Sequence, residues 1–212
     1  MSKMPQEHEW IVDGPQRAPA TIILAHGAGA GVDTDFMDVF ADGLADHGFR
    51  VVRFEFPYMA ERRQTGKRRP PDREPVLRQT WLDVIASVEA EMLFIGGKSM
   101  GGRIASLIAD EAKVAGLICL GYPFHPTGKP DQLRVEHLQT IKTPTIILQG
   151  ERDPFGNAEE VRGYELSRQV RVHWLPDGDH SLKPRSSSGR TQVENWREGI
   201  SVIADFVKRR VG

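Results

Sequence analysis

One cysteine, Cys119, stands in the 212 residues, so no disulfide can form within the chain. Its place in the apolar run Gly116-Leu117-Ile118-Cys119-Leu120 predicts a buried, inert thiol rather than a nucleophile. Long apolar runs are also missing. The longest are strand-sized, and none reaches the roughly 18 residues that would read as a membrane span, so no membrane partner is expected. The first residues, Met1 to His8, lack the apolar stretch of a signal peptide, which predicts a soluble, cytoplasmic protein. Charge bias is absent too: the formal net charge is −1, which gives the whole molecule no electrostatic attraction for nucleic acid. No internal repeat or long linker divides the sequence, and its 39% hydrophobic content can supply one core, so a single domain over residues 1–212 is expected. Nothing in the composition specifies an oligomeric state.

Strand-like and helical patterns alternate along the chain. Apolar strand runs cover Ala20 to Ala25, Arg50 to Phe56, Met92 to Gly96, Gly116 to Leu120, Thr145 to Gln149 and Val170 to Leu175. Amphipathic patterns predict helices from about Asp35 to His47, Pro75 to Ala90, Ala158 to Arg168 and Val193 to Arg210, with another after Ser99. Runs such as Thr21-Ile22-Ile23-Leu24-Ala25 are apolar at successive positions, as parallel strands covered on both faces must be. The pattern predicts an α/β fold, a doubly wound, mostly parallel sheet with helices on both faces. Ligands of such sheets collect at the carboxyl ends of the strands. His26, Ser99, His125, Asp153 and His180 all fall just after strand-like runs.

The segment Gly97-Lys98-Ser99-Met100-Gly101-Gly102 follows one of these runs and opens the pattern in which Ile104, Leu107 and Ile108 share a helical face. Strand, glycine-flanked serine and helix in that order read as a nucleophile elbow, which lifts a serine hydroxyl clear of the backbone on a turn too tight for large neighbours. A serine hydroxyl needs a histidine to take its proton and a buried carboxylate to orient that imidazole. Asp153, in Gln149-Gly150-Glu151-Arg152-Asp153-Pro154, and His180, in Asp177-Gly178-Asp179-His180-Ser181, supply both in the order Ser, Asp, His. Glu151, Asp177 and Asp179 share those loops as rival acids. His8, His47 and His173 have no partner motif, and His137 is expected on a short polar helix.

A tetrahedral intermediate needs N–H donors for its oxyanion. Met100, the residue after the serine, should give one, and Ala28, in His26-Gly27-Ala28-Gly29-Ala30-Gly31, the other, with Gly29 close behind. These glycines are spaced G-x-G-x-G and no acid ends the following strand in the manner of a dinucleotide-binding unit, which argues against a dinucleotide-phosphate loop. No cofactor and no metal are therefore expected. Two segments interrupt the alternation, both expected to be exposed: the Ser-rich loop Lys183 to Gly189 and the basic run Arg62 to Arg73. The basic run is either a solvated surface loop or an anion-binding segment in which Arg68 and Arg69 meet the substrate.

With these motifs assembled, the chain resembles a minimal, cap-less member of the α/β-hydrolase superfamily. Within it, His26-Gly27-Ala28-Gly29-Ala30-Gly31, Gly96-Gly97-Lys98-Ser99-Met100-Gly101-Gly102-Arg103 and Gly121-Tyr122-Pro123-Phe124-His125-Pro126 resemble the dienelactone-hydrolase-like branch. They resemble equally the testis-expressed and histone-acetyltransferase-subunit hydrolase-like proteins. Dienelactone hydrolases carry cysteine where this chain has Ser99, a departure that bears on lactone cleavage. The interval Phe124 to Lys142 has room only for a loop and a short helix, so an open site is expected. Tyr122, Phe124 and His125 either line its acyl or leaving-group side or pack beneath the loop. The resemblance implies a carboxylesterase-type serine hydrolase acting on a small-molecule ester or thioester. The other readings are a peptidase or amidase, and a binding or scaffold protein that keeps the fold.

Overall fold

Strands apolar at every position require helices on both sides, and a computed structural model, which describes residues 10–212, has that arrangement. His8 lies outside the described residues. The elements in chain order are β1 (Ile11–Asp13), β2 (Thr21–Ala25), α1 (Asp35–Asp46), β3 (Arg50–Phe54), α2 (Pro57–Thr65), α3 (Glu74–Ser87) and β4 (Leu93–Lys98). They continue with α4 (Met100–Ser106), α5 (Ala109–Ala112), β5 (Gly116–Leu120), β6 (Thr145–Gly150), α6 (Ala158–Val161), β7 (Val170–Leu175) and α7 (Gln192–Val211). The seven strands form one sheet in the order β1-β3-β2-β4-β5-β6-β7. Only β1 runs antiparallel to its neighbour, and the other pairs are parallel.

Alternate strand residues feed two cores. Ile22 and Leu24 join Phe40, Leu44, Ile203 and Val207 beneath α1 and α7, whereas Ile23 and Ala25 join Phe54, Trp81, Ile104 and Ile108 beneath α3 and α4. The strand order puts the carboxyl ends of β2, β4, β5 and β6 side by side, and the loops leaving them converge on one edge.

Several boundaries differ from the sequence pattern for identifiable reasons. The three residues of β1 are too few to show a period. The basic run was expected to be loop from Arg62, but Arg62 to Thr65 close helix α2, which Pro57 opens at its first turn and the left-handed Gly66 ends. The helix expected from Ala158 to Arg168 ends at Val161. Ser167 draws the chain away, its N–H donating to the Leu138 carbonyl (2.9 Å) and its hydroxyl to that of Ile141 (2.8 Å). Between Phe124 and Lys142 the structure has one 3-10 turn, Glu136–Gln139, which carries His137.

Candidate active site

Ser99 stands between β4 and α4 with φ 49° and ψ −113°, a backbone conformation costly for any residue with a side chain. Two glycines make the turn possible. Gly97 has φ 149°, and a Cβ there would collide with the Ala25 carbonyl. A Cβ on Gly101 would come within 2.6 Å of the carbonyl oxygens of Ala25 and His26. Strand β2 thus passes so close beneath the turn that only bare backbone fits, and Ser99 is forced outward at the head of a helix.

His180 lies in the loop between β7 and α7, and the structure brings it to Ser99. Its Nε2 is 2.9 Å from the Ser99 hydroxyl oxygen, and its Nδ1 is 2.8 Å from Asp153 Oδ2. Asp153 is fully buried just past β6, where two further donors engage it: Gln149 Nε2 at Oδ2 (3.0 Å) and the Phe155 N–H at Oδ1 (2.9 Å). A carboxylate accepting Nδ1–H fixes the imidazole proton on that side and leaves the Nε2 lone pair facing the hydroxyl. In that state the ring can take the serine proton. The Phe155 ring lies 4.3 Å from the imidazole, centroid to centroid.

The rival acids are occupied elsewhere. Asp177 pairs with Arg185 and Arg152, Asp179 accepts from the N–H groups of Ser181 and Lys183, and Glu151 accepts from the Asp177 N–H. A second serine–histidine pair, Ser106 with His137 at 2.7 Å, has the opposite polarity. The Ser106 hydroxyl donates to the Arg103 carbonyl (2.6 Å), so the contact with the imidazole is one that it accepts. Burial also holds the His137 pKa down, to about 4. A histidine that donates its Nε2–H to a buried hydroxyl cannot deprotonate it, and this pair belongs to the packing under α4.

Met100 opens α4, so its N–H has no acceptor within the helix. Ala28 and Gly29 are exposed in the loop after β2, and the position of Gly27 in that loop is such that a Cβ on it would lie 3.7 Å from that of Ser99. Tyr122 and Phe124 are fully buried against each other, rings 4.9 Å apart, and His125 is 2% exposed, its Nδ1 bonded to the Pro126 carbonyl at 2.9 Å. These three residues pack under the loop and present no surface to a ligand. Arg69 is paired with Glu61 and Asp72, and Arg63 with Glu55 and Asp33, so two basic side chains of the run are neutralised internally. Arg68 is exposed, with no carboxylate partner among the described residues.

Two tethers had no signal in the sequence pattern. Gln149 binds Asp153 while its Oε1 accepts from the Tyr122 N–H (2.7 Å) and its Nε2 reaches the carbonyls of Tyr122 (3.1 Å) and Gly156 (3.0 Å). Lys98 donates to the His180 carbonyl and places its ammonium 5.1 Å from the centre of the Phe36 ring. Burial lowers the Lys98 pKa to about 8, against the opposing pull of Asp153 and Asp179. Among the described residues no three His, Cys, Asp or Glu side chains converge to hold a metal ion, and no helix is long and apolar enough to cross a membrane.

Comparison with known proteins agrees with this architecture. The chain is 28% identical over 117 residues to a carboxymethylenebutenolidase of Pseudomonas sp. (strain P51), covering 53% of this chain and 46% of that enzyme, so it spans about half the length of that relative. A lidless a/b serine hydrolase from Xanthomonas campestris, XC6422, superposes with a TM-score of 0.68 at 18% identity, covering 91% of this chain and 87% of the other. MGS-MChE2, an alpha/beta hydrolase from a lagoon-sediment metagenome, superposes with a TM-score of 0.71 at 17% identity, covering 98% of each. The alpha/beta hydrolase domain profile matches residues 18–208. This protein therefore belongs to the alpha/beta hydrolase family.

Proposed function

We propose that this protein is a carboxylesterase-type serine hydrolase that cleaves a small or extended ester or thioester through an acyl-enzyme. The observation that carries the reading is the continuous chain from the Ser99 hydroxyl through His180 to buried Asp153, 2.9 Å and 2.8 Å at its two links. Ser99 Oγ forms a bond to the substrate carbonyl carbon as its proton passes to His180 Nε2. Asp153 stabilises the imidazolium through Nδ1–H without taking its proton. The carbonyl oxygen becomes an oxyanion, which the N–H groups of Met100 and Ala28 stabilise; one such donor is worth about 10²–10³-fold in rate. Collapse breaks the bond to the leaving group, which departs with the proton from His180. Water then enters, its oxygen bonding to the acyl carbon as its proton passes to His180; the bond from that carbon to Ser99 Oγ breaks, the acid leaves, and Ser99 Oγ takes the proton back from His180.

The short interval between Phe124 and Lys142 favours a substrate that needs no enclosing lid. A fluorophosphonate probe tests the reading, because only an activated serine reacts. Labelling should map to Ser99, and Ser99→Ala should abolish both labelling and p-nitrophenyl acetate turnover while the melting temperature stays near the native value. A folded native protein that neither labels nor turns over would favour a binding role for the fold.

A further inference from the structure

The loop that follows β2 has three successive carbonyls, those of Gly27, Ala28 and Gly29, engaged by side chains. His26 accepts the Phe56 N–H at Nε2 (3.1 Å), which puts its own proton on Nδ1, and that N–H donates to the Gly27 carbonyl at 2.6 Å. The Tyr58 hydroxyl donates to the Ala28 carbonyl at 3.0 Å and also lies 3.2 Å from that of Gly27. An Arg62 guanidinium nitrogen donates to the Gly29 carbonyl at 3.1 Å. Three successive carbonyls therefore have three different side-chain donors, two of them from α2. In a trans peptide the N–H of the next residue points opposite to the carbonyl. The N–H groups of Ala28, Gly29 and Ala30 accordingly face away from α2, and among the described residues none donates to a protein acceptor.

We propose that Tyr58 and Arg62 are positioning residues: Tyr58 holds the Gly27 and Ala28 carbonyls and Arg62 the Gly29 carbonyl toward α2, which aims the N–H groups of the next residues, that of Ala28 first, at the oxyanion formed at Ser99. The inference rests on the serine-hydrolase reading above. The clamp is needed because glycines flank Ala28. A peptide plane next to glycine rotates with little steric resistance, and a half-turn would replace a donor by a carbonyl facing the negative charge. Tyr58 is itself fixed. It is 1% exposed, its N–H donates to Asp72 Oδ2 (3.0 Å), and Arg69 holds Asp72 from the far side at 2.9 Å. Burial, reinforced by the Asp72 charge, keeps the phenol protonated, so it acts only as a donor toward the loop. The basic run thus serves the site through α2, with Arg69 three contacts away from the clamped carbonyl, by way of Asp72 and Tyr58.

Tyr58→Phe removes only the hydroxyl, and Arg62→Met removes the guanidinium from a partly exposed side chain, so the second variant carries the test if the first folds poorly. With p-nitrophenyl acetate, Tyr58→Phe should lower kcat about tenfold to a hundredfold with KM nearly unchanged, part of the loss expected for removing an oxyanion donor outright. Arg62→Met should lower kcat about fourfold to tenfold in the same direction. Affinity for a trifluoromethyl ketone, whose serine adduct carries the oxyanion, should fall in step with kcat/KM. A residue with only a packing role would lower the melting temperature without this correlation. If the native protein turns over and labels at Ser99 but both variants keep kcat within about twofold, the clamp is refuted alone. If the native protein neither turns over nor labels, the hydrolase reading and the clamp fall together.

Discussion

Asp153→Asn offers the most direct perturbation of the proposed chemistry, because the change is isosteric and its consequence can be worked from the hydrogen bonds. The Phe155 N–H requires an oxygen at the Oδ1 position, so the new NH2 group must take the Oδ2 position. There it meets two donors, Gln149 Nε2–H at 3.0 Å and His180 Nδ1–H at 2.8 Å. Gln149 cannot turn its amide to accept, because its oxygen already accepts the Tyr122 N–H and its nitrogen serves the Tyr122 and Gly156 carbonyls. His180 alone can relieve the conflict, by moving its proton to Nε2. The proton then points at Ser99 Oγ, and the lone pair that should accept the serine proton is gone. Replacing the acid of a Ser–His–Asp arrangement by its amide in this way costs about 10⁴ in kcat, or roughly 5 kcal/mol of transition-state stabilisation at about 1.4 kcal/mol per factor of ten.

Steady-state turnover of p-nitrophenyl acetate by purified Asp153→Asn, compared with native protein and with Ser99→Ala, measures this directly. KM should change little, since Asp153 is fully buried behind His180 and makes no contact with solvent. One strained or unmade hydrogen bond in the interior should also lower stability by about 1–3 kcal/mol, read from a chemical denaturation curve. A folded Asp153→Asn that keeps kcat within about tenfold of native would refute the tautomer argument and remove Asp153 from the mechanism.

Lys98 predicts a pH signature. Its ammonium faces the His180 carbonyl, the Phe36 ring and the charges of Asp153 and Asp179, and burial lowers its pKa to about 8. As pH rises through about 8 the ammonium loses its proton and the tie to the His180 loop weakens, so kcat should fall, and Lys98→Met should be slower throughout but lack this alkaline limb. The stability effect has the opposite sign. The unfolded chain holds the Lys98 proton up to the ordinary lysine value of 10.5, so the burial penalty is fully present below about 8 and is relieved as pH rises toward 10.5. Native stability should carry that upward contribution and Lys98→Met should lack it; identical pH profiles for the two proteins would discount the lysine. Cys119 makes a simpler probe: it is 0% exposed and burial pushes its thiol pKa well up, so Ellman's reagent should react only as fast as the protein unfolds. Rapid reaction of the native protein would contradict its place in the core beneath α4.

What the sequence disclosed and what it hid divide along a physical line. Ser99 was legible because a Cβ on either neighbour, Gly97 or Gly101, would collide with the backbone at Ala25, a demand that leaves glycine in the sequence whatever side chains the adjacent strand carries. Asp153 and His180 were legible because each closes a strand run in a fixed chain order. The sheet was legible because burial on both faces leaves strands apolar at consecutive positions, as in Thr21–Ala25. Tyr122 and Phe124 were undecided in the sequence: a position past a strand end admits either a lining or a packing side chain, and only the arrangement of the following loop shows that both are enclosed. Gln149, Lys98, Tyr58 and Arg62 gave no signal at all. The partners of Lys98, Tyr58 and Arg62 lie far away in sequence, at His180, Ala28 and Gly29, and Gln149, four residues from Asp153, is itself fixed by distant Tyr122; these contacts exist only after parallel strands have brought those loops to one edge. Motif spacing therefore marks the groups proposed to react, whereas the groups that hold them act largely across the sheet. The same division sorts the variants: changes at Ser99, His180 and Asp153 should stop the reaction outright, and changes at the tethers should slow it in degrees set by how far each loop can move.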